Sequence, residues 1–183
     1  EEIKQLQRAI DLTEAGFRRV LGFIEPGVGE WEIEAEYLHE FVRNRSRGFA
    51  YPPIVGSGKN ACVLHYIDNR DRLRKGDLLL IDAGAELDCY CADITRTFPI
   101  SGRFSATQKA LYDIVLAAQL AAIDAVKPGA TFNDPHEAAV RVISTGLKDL
   151  KLLKGSVDGL IEKGAYQKFF VHRTSHWLGL DVH

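Results

Sequence analysis

Two aspartates and a run of histidines are the residues of this chain best suited to chemistry. Asp82 sits in Leu80-Ile81-Asp82-Ala83-Gly84, and Asp93 opens Asp93-Ile94-Thr95-Arg96-Thr97, 11 residues further on. A hairpin centred between Leu87 and Asp88 would set the two carboxylates directly opposite each other, roughly 4.5–5.5 Å apart at Cβ, where like charges are destabilising. Three arrangements relieve such repulsion: Arg96 as counter-ion, a shared proton, or one or two divalent cations between the carboxylates. The plainer reading is that one aspartate is a turn or edge residue in water, as most acidic side chains are.

The string His172-Arg173-Thr174-Ser175-His176-Trp177-Leu178-Gly179-Leu180-Asp181-Val182-His183 carries three of the six histidines, between apolar groups where an unpaired polar cluster would be costly. Neutral imidazole is the commonest transition-metal ligand. Two aspartates with a histidine, and no thiolate pattern nearby, make an oxygen-rich site suited to Mn, Co or Zn rather than to a structural zinc. His65, 17 residues before Asp82, could face the same cleft. Alone it reads as an ordinary histidine, as do His39 and His136 in helical stretches. Cys89 and Cys91 read as small packing residues.

These groups need elements to position them. Apolar residues at Ile3, Leu6, Ile10, Phe17, Val20, Leu21 and Ile24 predict one helix from Glu1 to about Ile24, stopped by Pro26-Gly27. A second helix is expected over about 31–43, its first turns rich in glutamate. Leu78 to Ile81 reads as a buried strand, with Tyr90 to Phe98 as its antiparallel partner. Ser105 is a plausible N-cap for a helix to Val126, ended by Pro128-Gly129, and a fourth helix is expected over about 135–150. Phe169 to Val171 reads as a further short strand. The recurrence of helix, Pro-Gly and helix is a faint internal repeat. The elements predict one α+β domain over 1–183, helices packed on a mainly antiparallel sheet.

Composition limits the partners. With 23 Lys and Arg against 25 Asp and Glu, the chain lacks the basic footprint of a nucleic-acid binder. No apolar run approaches the roughly 20 residues that span a bilayer. Three cysteines without a CxxC pair favour a reducing compartment, hence a cytoplasmic location. The chain has no methionine and starts at Glu1, so it reads as trimmed or excerpted.

Five motifs, in this order, resemble the pita-bread metallopeptidase family that includes aminopeptidase P, prolidase and methionine aminopeptidase. They are Ile54-Val55-Gly56-Ser57-Gly58, Leu64-His65-Tyr66, Ile81-Asp82-Ala83-Gly84, Asp93 to Pro99 and Ser175 to His183. The last string is most similar to the aminopeptidase P branch, with prolidase second. The resemblance implies a pseudo-twofold fold of helix pairs with strands, and two divalent metal ions, usually manganese, with cobalt or zinc as alternatives. It implies Asp82 on one ion, Asp93 bridging both and His176 on the other, with His65, His172 and His183 as substrate-binding and proton-handling histidines. The implied activity is hydrolysis of the bond between an N-terminal residue and a following proline in peptide substrates, by a full-length homo-oligomer. The family's last two metal ligands and general base are glutamates beyond the histidine string, and none of the 183 residues matches them. The resemblance therefore implies a catalytic domain lacking its C-terminal part and the usual N-terminal domain, inactive by itself. The other readings are a dipeptide-specific prolidase and a non-catalytic peptide- or protein-binding module on the same fold.

Overall fold

A computed structural model describes all residues, 1–183. The chain divides into two compact units, 1–103 with 177–183, and 104–176.

In the first unit, helices α1 (Glu2–Leu21) and α2 (Glu30–Arg43) pack on short antiparallel strands. α1 ends at Leu21, three residues before the expected end, because the amides of Gly22, Phe23 and Ile24 turn back onto the last helical carbonyls. The helices approach closely at Gly16, where an added Cβ would lie 2.7 Å from the Tyr37 ring. Tyr37 stands edge-on to Phe17 at 5.3 Å, and Phe41 to Phe49 at 5.2 Å. Around this aromatic seam Val20, Ile33, Val55, Leu79 and Ile81 are fully buried. Thr13 ties helix to sheet: its hydroxyl donates to the Ala9 carbonyl and accepts the Ala85 amide at 3.0 Å.

The strands are β1 (Gly48–Phe49), β2 (Ile54–Ser57), β3 (Leu78–Ala83), β4 (Ala85–Leu87), β5 (Tyr90–Cys91) and β6 (Ile94–Pro99). They form two three-stranded sheets, in orders β1-β4-β5 and β2-β3-β6. β3 and β6 pair as expected, but the register is two residues off the sequence reading: Asp82 faces Thr95, not Asp93. The turn is Asp88-Cys89, one position later than expected, and both residues are left-handed, at φ 53° and 70°. That is the backbone of a two-residue hairpin turn whose twist matches its strands. The expected single strand Tyr90 to Phe98 is two strands in two sheets. Ala92 lies at the break between them, and a Cβ on Gly84, between β3 and β4, would fall 1.6 Å from its carbonyl oxygen.

In the second unit, α3 (Ala106–Ala125) and α4 (Asp134–Asp149) pack through Ala118, Ala122, Ala139, Ile143 and Leu147. Ser105 caps α3 as expected, its hydroxyl accepting the Gln108 amide while Gln108 Oε1 accepts the Ser105 amide at 2.9 Å. A short helix, α5 (Val157–Glu162), follows, with Ser156 as its cap; the sequence reading has no helix there. Phe169 to Val171 is not a strand. It has no neighbouring strand to pair with, and Phe170 instead packs on the α4 cluster and stacks on the His136 ring at 5.8 Å. No helix is long and apolar enough to cross a membrane.

Candidate metal centre

β3 carries Asp82 on the face it shares with Thr95, and the segment between β5 and β6 carries Asp93. A shift of two residues keeps a strand's faces unchanged. The carboxylates therefore still converge, diagonally rather than directly opposed. They meet at Tyr51, whose hydroxyl lies 2.5 Å from Asp82 Oδ1 and 3.0 Å from Asp93 Oδ1. All three residues are half-buried.

Burial is the largest influence on Asp82 and raises its pKa; the Tyr51 and Thr95 hydroxyls lower it, and the adjacent Asp93 raises it again. Burial and the two carboxylates push the Tyr51 phenol far above its ordinary value, so it stays a donor. A single phenolic hydrogen cannot neutralise two carboxylates. Arg96 does not do so either, since it projects from the other face and donates to the Thr95 carbonyl at 2.8 Å in solvent. Of the three arrangements open in the sequence, a shared proton and a bound cation remain. The donor set fits a divalent cation: hard carboxylate oxygens, close together and half-buried.

Tyr51 is the residue that sequence reasoning missed. It was legible only as part of the Tyr51-Pro52-Pro53 turn cluster, and no spacing rule ties it to Asp82, 31 positions away.

The histidines sit as follows. His65 is exposed, beyond the 3-10 turn Gly58–Cys62, with φ at 56°. The left-handed region costs a residue with a side chain roughly 1–2 kcal/mol, and such strain gathers at functional positions. His183 lies in the segment 177–183, which is fastened to β5: the Cys91 amide donates to the Gly179 carbonyl at 2.9 Å, and Cys91 Sγ lies 3.3 Å from the Leu180 carbonyl. Cys91 is buried, and burial raises its pKa, as suits a packing residue.

In the second unit, His172 and His176 are exposed on the chain segment after Phe170. That segment is held by His136, whose Nδ1 lies 3.1 Å from Thr174 Oγ1, and by Arg173 donating to Asn133. His136 is buried, and burial, followed by the nearby Arg173 charge, lowers its pKa. Ser175, just before His176, is left-handed at φ 69°. No three His, Cys, Asp or Glu side chains are gathered at one point, so Asp82 and Asp93 are the two expected ligands the structure brings together.

Antiparallel sheets with helix pairs hold a half-buried carboxylate pair suited to a divalent cation. The model of metallopeptidase family M24 matches residues 4–183, and the chain belongs to that family. The fold is the pita-bread fold, and the family implies divalent metal cofactors. The chain is 46% identical over 182 residues to a Xaa-Pro aminopeptidase of Haemophilus influenzae, and 45% identical over 183 to one of Escherichia coli. Each alignment covers the whole of this chain and 42% of the relative. Among solved structures, the aminopeptidase PepP of Pseudomonas aeruginosa superposes with a TM-score of 0.98 at 49% identity, over the whole chain and 41% of that protein. A variant of Escherichia coli aminopeptidase P in complex with substrate superposes at 0.97 with 45% identity, again over 41% of its length. The chain thus spans about two-fifths of the proteins it matches.

Proposed function

We propose that this chain belongs to a Xaa-Pro aminopeptidase and contributes ligands of its metal centre. Asp82 and Asp93, with His176, hold two divalent ions, Mn²⁺ foremost, while His65, His172 and His183 bind the peptide and carry protons. The observation that carries this reading is the half-buried carboxylate pair meeting at one phenol. Similarity to the two Xaa-Pro aminopeptidases supports the substrate class.

Bound divalent ions supply Lewis-acid activation of water and of the scissile carbonyl. The protein's own part is orientation. Tyr51, kept protonated, aims both carboxylates from one oxygen, and β3 and β6 hold them in register. The bond before proline is a tertiary amide without an N–H, so the cleft cannot grip it through a donor there, and histidine side chains suit the remaining carbonyl contacts. The three cysteines, all free, support a reducing compartment such as the cytoplasm.

The test is the full-length protein with a tripeptide carrying proline second. Release of the first residue is expected with Mn²⁺ and not with chelator, and Asp93→Ala should abolish it. Undiminished activity in that variant would sink the reading, and cleavage confined to dipeptides would reassign the enzyme to the prolidase type.

A further inference from the structure

Glu30, at the start of α2, is 0% exposed, and its carboxylate is met from every side. Oε1 accepts the Ser57 amide at 2.7 Å and the Ser57 hydroxyl at 2.8 Å. Oε2 accepts the Tyr66 hydroxyl at 2.8 Å and the Asp71 amide at 2.9 Å. Asn60 joins the set, donating to Glu30, to the Tyr66 oxygen and to Asp71. One buried carboxylate thus gathers the last residue of β2 and both ends of the 58–71 loop.

Asn69 completes the attachment. Its Oδ1 accepts the Val55 amide at 2.9 Å and its Nδ2 donates to the Pro53 carbonyl at 2.9 Å, so a side-chain amide stands in for a neighbouring strand on the open edge of β2. Closing that edge alone would not need a buried carboxylate, since exposed amides can bond to water and a buried charge has a large desolvation cost. The Glu30 network instead fixes a loop conformation. Its most constrained point is Tyr66, whose oxygen donates to Glu30 and accepts from Asn60 and from the Arg70 amide. Tyr66 adjoins His65, the exposed histidine held in the left-handed region. A strained residue persists only where its surroundings over-determine it, and here those surroundings are the hydrogen bonds onto Tyr66 and Glu30.

We propose that Glu30 is the positioning residue for His65: through Tyr66 and Asp71 it holds the 58–71 loop in the conformation that presents His65 to the substrate. This rests on the role given to His65 above. Glu30 itself touches no reacting atom.

The experiment uses Glu30→Gln and the milder Tyr66→Phe in the full-length, metal-loaded enzyme, each with and without His65→Ala. Each variant should lower kcat about tenfold, the scale of a small misplacement of a reacting group. KM and bound metal should be unchanged. In the His65→Ala background neither should lower kcat further, because residues acting through one another are non-additive. Backbone amides of 66–71 should exchange faster with solvent in both variants. Equal losses in both backgrounds, or unchanged amide exchange, would overturn the proposal, and Tyr66→Phe keeps the test valid should Glu30→Gln not fold. Wild-type activity in His65→Ala alongside faster exchange would instead sink the role of His65 and leave the hold of Glu30 on the loop intact.

Discussion

Replacing Asp82 with Asn should stabilise the metal-free protein at neutral pH while removing metal binding. The distances from Tyr51 to the two carboxylates, 2.5 and 3.0 Å, place the accepting oxygens no more than about 5.5 Å apart. Two full charges at that separation repel by about 3 kcal/mol at an effective dielectric constant of 20, and by under about 1 kcal/mol in bulk water. The site is half-buried, so the repulsion falls between these limits. Asn keeps an oxygen for the Tyr51 hydroxyl, so most of that hydrogen bond survives without the charge. The net gain should be about 1 kcal/mol, or about 2–4 °C in unfolding midpoint for a chain of this size. The sign with pH follows from the raised Asp82 pKa. The stability that Asp82 contributes by holding a proton in the fold is fully present below its unfolded value of 3.8 and is lost as pH rises through the elevated folded value. The Asn variant should therefore match the wild type at acid pH and exceed it at pH 8. Thermal unfolding followed by circular dichroism with chelator, across that range, measures the difference. With Mn²⁺ at a hundredfold excess over its dissociation constant the wild type should recover about 2.7 kcal/mol, and the variant far less. A variant less stable than the wild type at pH 8 without metal would falsify the repulsion argument.

Two further substitutions probe the scaffold. Gly84→Ala drives a Cβ to within 1.6 Å of the Ala92 carbonyl oxygen, a backbone atom that cannot swing aside. It should cost about 3 kcal/mol or more, read as a large drop in urea midpoint, and a midpoint within experimental error of wild type would contradict the close approach. His136 is held neutral by burial, with its pKa below the ordinary 6.5. Its contribution is present above that value and is lost as pH falls from about 6.5 through the lower folded value. His136→Gln should flatten the acid side of the stability profile over that window, and an unchanged slope would show that the imidazole does not carry it.

The local features of this chain were readable wherever a residue's own chemistry decides its structure. Ser105 announces the start of α3, because capping acts within a few residues. Spacing alone leaves Asp82 and Asp93 open between solvated side chains and a paired site, and it is the order of the family motifs that singles out these two with His176 as candidate ligands. The hairpin register was not readable. Asp88 and Cys89 both take left-handed backbone, yet cysteine carries no turn signal, so the sequence points to a centre one residue early, with the carboxylates directly opposite each other. Phe169 to Val171 has the composition of a strand and failed as one for want of a partner, since apolar runs pack on whatever face the fold offers.

Sequence by itself determined which groups are candidates for the chemistry and which family the chain resembles, because residue types and their order are properties of the covalent chain. Only the tertiary structure decided how those groups are held. Tyr51 reaches across 31 positions to join Asp82 and then Asp93, and Glu30 reaches across 27 to Ser57, 36 to Tyr66 and 41 to Asp71. Contacts at such separations follow from the packing of α2 and the strands. A tyrosine or glutamate read along the chain looks the same whether it ends in solvent or at the centre of a site.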